Sequence, residues 1–123
     1  MSPAQILLVE DDAQTAKLVL LTLQRAGLDA IHVENGSKAI EYLDGAKPDV
    51  IVLDLSLPEV NGWQVLDYAQ GKYGSDSIKV IVTTARGDAV NKLTGKLHFV
   101  ARYLVKPYAL DQLTTALKDF LAQ

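Results

Sequence analysis

Val50-Ile51-Val52-Leu53-Asp54 is the stretch on which the reading of this chain turns. Four apolar residues in a row, three of them β-branched, stop abruptly at an acid. The run is too short for a helix. It does not alternate with polar residues, as a strand with one wet face would. It therefore reads as a strand covered on both faces, the kind found in parallel sheets.

The same pattern recurs on either side. Ile6-Leu7-Leu8-Val9 stops at Glu10-Asp11-Asp12, and Ala30 to Val33 forms a weaker strand. Downstream, Val80-Ile81-Val82 stops at Thr83-Thr84, and Tyr103-Leu104-Val105 stops at Lys106-Pro107. Helix-period segments lie between. Over residues 13 to 26, Ala16, Val19, Leu20, Leu23 and Ala26 share one face, and Gly27 ends the segment. A short helix is expected from Ser37 to Leu43, before Gly45. A third carries Leu66, Ala69 and Tyr73, with Gly71 and Gly74 predicting early fraying. Val90, Leu93 and Leu97 mark a fourth, and Leu110, Leu113, Leu117, Phe120 and Leu121 a closing fifth.

Strict strand–helix alternation implies an α/β domain with a parallel sheet and helices on both faces. Five strands at this length suit a doubly wound sheet of flavodoxin-like order 2-1-3-4-5. The expectation is one domain spanning residues 1–123, with no effector domain. Such a chain would be a stand-alone protein or a piece of a longer one.

Composition narrows the function. The net charge of -3 leaves no basic footprint for nucleic acid, so direct DNA or RNA binding is not expected. There are no cysteines, which excludes disulfides and thiolate chemistry. No apolar run approaches a membrane span, and the first residues lack a basic leader. The prediction is a soluble, cytoplasmic protein.

Ligands of doubly wound sheets bind beyond the carboxyl ends of the strands. Those ends carry Glu10, Asp11, Asp54, Thr84 and Lys106. In the order 2-1-3-4-5 they belong to neighbouring strands and would meet in one crevice. Like charges about 4 Å apart repel by roughly 1 to 4 kcal/mol per pair, so the acids require a cation. Oxygen ligands without His or Cys favour Mg²⁺. Mg²⁺ and Lys106 would leave room for an incoming phosphoryl group, an arrangement suited to phosphoryl transfer onto a carboxylate.

Taken together, Val9-Glu10-Asp11, Asp54-Leu55-Ser56-Leu57-Pro58 with Gly62 and Leu66, Val82-Thr83-Thr84-Ala85, and Tyr103-Leu104-Val105-Lys106-Pro107 resemble response-regulator receiver domains along nearly the whole chain. The resemblance implies that Asp54 accepts a phosphoryl group from the phosphohistidine of a sensor histidine kinase or phosphotransfer protein, or from acetyl phosphate. It implies that Glu10, Asp11, Asp54 and the backbone carbonyl of Ser56 hold Mg²⁺. Thr84 and Lys106 would contact the phosphoryl oxygens, and Tyr103 would be the aromatic that turns as Thr84 moves. The protein would then be a switch rather than an enzyme, promoting only its own Mg²⁺-dependent phosphorylation and dephosphorylation. Its output would go to a downstream partner or effector domain, through the face of the fourth helix, fifth strand and fifth helix. A monomer or weak dimer is expected.

Several residues read more plainly. Asp12 immediately precedes the first helix and reads as its N-cap. Strand alternation points one of Thr83 and Thr84 at the site, and Ala85 favours Thr84. His32 and His98 look isolated from the acids and structural. Trp63 reads as a partly exposed residue near the site, useful as a probe. Gly36-Ser37-Lys38 lacks the glycines and preceding strand of a phosphate loop. The segment Leu97-His98-Phe99-Val100-Ala101-Arg102 departs from the family, whose members carry small and acidic residues there. A rival is a Mg²⁺-dependent phosphatase with an Asp nucleophile, but that chemistry needs an acid–base Asp where Ser56 stands, and a substrate cap.

Overall fold

The computed structural model describes residues 5–54, 62–74, 78–84, 100–105 and 109–121. The strands are β1 (Gln5–Val9), β2 (Asp29–Val33), β3 (Val50–Asp54), β4 (Lys79–Thr84) and β5 (Val100–Val105). They pair in the order β2-β1-β3-β4-β5, every pair parallel. The helices are α1 (Ala13–Arg25), α2 (Gly36–Gly45), α3 (Gly62–Tyr73) and α4 (Leu110–Leu121). This last helix is the closing segment of the sequence. The segment predicted around Val90, Leu93 and Leu97 lies outside the described residues.

The central strand is covered on both sides, as its composition requires. Ile51 and Leu53 pack with Ala39 and Leu43 of α2 and with Val65, Leu66 and Ala69 of α3. Val50 and Val52 pack oppositely, with Ala16, Val19 and Leu23 of α1 and with Leu113, Ala116 and Leu117 of α4. Adjacent residues of one strand thus serve two cores, and among the described residues two helices cover each core. Among the described residues no helix is long and apolar enough to cross a membrane.

Local chemistry fixes the ends of these elements. Asp12 caps α1, its carboxylate accepting from the N–H of Gln14 at 3.3 Å and from the hydroxyl of Thr15. At the other end the N–H of Leu28 donates to the carbonyl of Leu23 at 2.9 Å, a contact that closes only because Gly27 takes φ +79. The helix ends at Arg25, with Ala26 as the cap. Asn35 caps α2 by accepting from the N–H of Lys38 at 2.9 Å, so α2 starts one residue before the predicted range, and it ends two residues after it.

Two readings need larger correction. Helix α3 runs through Gly71 and stops only before Gly74, whose φ is 85. Glycine costs helix stability, yet the packed face of Val65, Leu66 and Ala69 outweighs one such residue. Strand β5 begins at Val100, three residues before the predicted start at Tyr103. Its register jumps between the pairs Val80–Val100 and Ile81–Arg102, leaving Ala101 as an extra residue.

Helices α2 and α3 are joined by polar contacts at one end. The hydroxyl of Tyr68 donates to the carboxylate of Asp44 at 2.7 Å, and the ammonium of Lys72 reaches the same oxygen at 3.2 Å. The hydroxyl of Tyr73 donates to the carbonyl of Leu43 at 2.6 Å. The Tyr68 hydroxyl, and then Lys72, hold the Asp44 carboxyl below the ordinary carboxylate range. The bond to Asp44 raises Lys72 in turn.

Replacing Gly27 by Ala is expected to lower stability by about 1 kcal/mol, read as a shift of the urea midpoint. Nothing lies within 4 Å of the added methyl, so the cost is purely that of the backbone conformation. The depressed Asp44 carboxyl contributes stability above its unfolded value, and this is lost as pH falls through the folded one. Urea melts of wild type and Asp44→Asn should therefore differ at neutral pH, and the difference should begin to shrink only as pH falls below about 4.

Candidate functional site

The acids expected at the strand ends come together. Glu10 follows β1, Asp54 is the last residue of β3, and Asp11 opens the loop before α1. One carboxylate oxygen from each lies within 4.8 Å of the other two. The pairing of β1 with β3 makes this possible, since Val9 stands opposite Leu53 and the next residues are Glu10 and Asp54. Both are only 3% exposed, whereas Asp11 faces solvent.

Glu10 is held from several directions. Its N–H donates to the carbonyl of Val33 at 3.2 Å, carrying the β1–β2 ladder one residue beyond the strand. Its carboxylate accepts from the N–H of Asp12 at 3.2 Å. Its own carbonyl lies 2.8 Å from Nε2 of His32. This last contact corrects the reading of His32 as isolated from the acids. The signal was present in the pairing, because His32 stands opposite Leu8, two residues before Glu10. Sequence alone does not give that register, which is why it was missed.

Asp54 pairs with Thr83, also a buried polar residue, at 2% exposure. The Thr83 hydroxyl donates to the carbonyl of Leu53 at 3.5 Å, a long bond. Alternation sets Thr83 with Ile81 on the α1 and α4 face. Thr84 ends β4 opposite Val105, and Tyr103 pairs with Val82. The side chains of Thr84, Tyr103 and Trp63 lie outside the described residues. So do Ser56, Lys106 and His98.

Three carboxylates this close repel one another by about 1 to 3.5 kcal/mol per pair, depending on how far water penetrates. A cation removes that cost. Among the described residues the donor set is entirely hard oxygen, and the imidazole of His32 is turned to a carbonyl. That chemistry fits Mg²⁺, which takes a few carboxylates and keeps several waters, better than it fits zinc or copper. The group could hold such an ion.

Residues 6–118 match the family model of the response regulator receiver domain, and the chain belongs to that family, the phosphoacceptor switches of two-component signalling. It is 32% identical over 120 residues to the transcriptional regulatory protein TrcR of Mycobacterium tuberculosis, covering 98% of this chain and 46% of TrcR. It is 30% identical to the phosphate regulon regulator PhoB of Pseudomonas aeruginosa, covering 94% of this chain and 51% of PhoB. The chain spans 27% to 51% of the length of these and similar regulators. Among solved structures, TrrA of Thermotoga maritima in complex with Mg²⁺ and BeF superposes with a TM-score of 0.83 at 26% identity, covering 95% of this chain and 98% of TrrA. The receiver domain of a sensor histidine kinase from Pseudomonas aeruginosa, with magnesium in its active site cleft, gives a TM-score of 0.83 at 25% identity, covering 99% of this chain and 100% of its own.

Asp54→Asn is expected to raise the melting temperature in metal-free buffer by about 2 to 6 °C, because it removes one of the crowded charges. A lower melting temperature would show that repulsion is not the dominant force in the pocket.

Proposed function

We propose that Asp54 is the phosphoacceptor of a switch controlled by a sensor histidine kinase or phosphotransfer protein. The observation that carries this reading is the convergence of two buried carboxylates and one exposed carboxylate at the carboxyl edge of the sheet. An oxygen of Asp54 attacks phosphorus as the P–N bond of the donor phosphohistidine breaks, and the imidazole leaves with a proton from water. With acetyl phosphate the broken bond is P–O and acetate leaves. Hydrolysis by water later returns the carboxylate and inorganic phosphate, so the domain turns over only its own modification.

Glu10, Asp11 and Asp54, with the carbonyl of Ser56, are the proposed holders of Mg²⁺. Bound there, the ion supplies positive charge against the phosphoryl oxygens. Glu10, whose carboxylate accepts from the N–H of Asp12, and the exposed Asp11 would orient the ion. Lys106 is assigned to a phosphoryl oxygen by charge, and Thr84 to another by its hydroxyl. Thr84 is preferred to Thr83 because Thr83 is buried with its hydroxyl turned to Leu53, and because Ala85 follows Thr84.

Tyr103 is the proposed relay, moving as Thr84 engages the phosphoryl group. A change of roughly 1 to 3 kcal/mol between two conformations is enough to alter partner affinity substantially. The output surface is assigned to β5, α4 and the segment before β5, where a partner protein or an effector domain would dock. The net charge of -3 supports contact with protein rather than direct contact with nucleic acid. The reading further includes a monomer or weak dimer, at work in the cytoplasm. The family match over residues 6–118 favours this switch over the phosphatase alternative.

Incubation with Mg²⁺ and acetyl phosphate is expected to add the mass of one phosphoryl group to the wild type and none to Asp54→Asn. Equal modification of the two proteins, or none in the presence of a competent phosphorylated kinase, would overturn the assignment.

A further inference from the structure

We propose that His32 is a positioning residue for the carboxylate site, acting by locking the peptide between Glu10 and Asp11. The inference rests on the reading that these acids hold Mg²⁺, and adds a residue from β2 that touches neither the ion nor the phosphoryl group.

The argument starts from the end of the sheet. In a parallel ladder a residue bonds the same neighbour through both its N–H and its C=O. Glu10 makes the first of these, to the carbonyl of Val33. Continuing the ladder would bring the N–H of Asn35 to the carbonyl of Glu10. By then β2 has ended at Val33, and Asn35 has become the cap of α2. The imidazole of His32 takes over that duty at 2.8 Å. A carbonyl oxygen can only accept, so Nε2 carries the proton.

The consequence is geometric. The peptides on either side of the Glu10 Cα are planar, and each is now held by β2, one through its N–H and one through its carbonyl. Little freedom remains in the Glu10 backbone, and the starting point of Asp11 is fixed with it. Asp12 completes the bracing by donating its N–H to the carboxylate of Glu10 and capping α1 with its own. One imidazole therefore adds to the placement of two of the three acids that converge within 4.8 Å. Partners that hold ligand residues in this way commonly govern metal affinity by an order of magnitude or more.

The nearby groups support an orienting role over a bland packing one. His32 is half-buried on the α1 side of the sheet, where Ala30 and Leu8 already supply the apolar contact. A histidine adds a donor to that setting, and the donor faces the Glu10 carbonyl.

The test compares His32→Gln with His32→Asn, read by calorimetric titration with Mg²⁺ alone. The amide nitrogen of Gln falls near the place of Nε2 and can still donate to Glu10. That of Asn falls near Nδ1 and stops short. His32→Gln is expected to bind Mg²⁺ within about threefold of wild type, and His32→Asn roughly tenfold more weakly. The Glu10 and Asp11 amides should exchange faster with solvent in His32→Asn only. Metal binding that is equal in the two variants, or unimpaired in His32→Asn, would overturn this inference while leaving the metal site standing. Failure of the wild type itself to bind Mg²⁺ would overturn the metal reading, and this inference with it.

Discussion

Glu10 and Asp54 are carboxylates with almost no exposed surface, held close to each other and to Asp11. Burying one charge is costly, and burying two of the same sign together is more so. The arrangement persists because both residues are carried by neighbouring parallel strands whose side chains are buried in the two cores. Val9 opposite Leu53 is fixed by two cores at once, and the acids follow one residue later. Thus the force that assembles the site is apolar burial elsewhere in the sheet. The close carboxylates repel one another, which leaves the site ready to gain from a cation.

How much of this was legible in the sequence depended on whether the signal was local. The two-sided character of β3 is written in Val50-Ile51-Val52-Leu53, and the strand is buried throughout. The cap at Asp12 and the stop at Gly27 are equally local, resting on one carboxylate and one positive φ. Convergence of Glu10, Asp11 and Asp54 was inferable once the strand order was assumed, because order alone makes those ends neighbours. Register-dependent facts were not legible. His32 was passed over because nothing within β2 says which residue of β1 it faces. The extent of β5 was missed for a related reason, since pairing with β4, not local composition, makes Val100 to Arg102 a strand. Gly71 misled for the opposite reason, a true local cost overruled by packing.

The molecule also divides its polar contacts unevenly. The acids sit at the carboxyl edge of the sheet, while Asp44, Tyr68, Lys72 and Tyr73 join α2 to α3 where both helices end. Helices following parallel strands run back against them, so these contacts lie at the far edge. The half of the fold carrying α2 and α3 is thereby fastened away from the site.

The extra residue in β5 has a consequence for the opposite half. Up to Val100 the strand counts in step with β4, and from Arg102 onward it runs one residue late. Inside and outside exchange on a strand with every odd step, so Ala101 is what delivers Leu104 to the core shared with Ile81, α1 and α4. Strand length here is a matter of parity. A homologue lacking that one small residue would have to reverse which of its β5 side chains are hydrophobic, or shed this edge of the sheet.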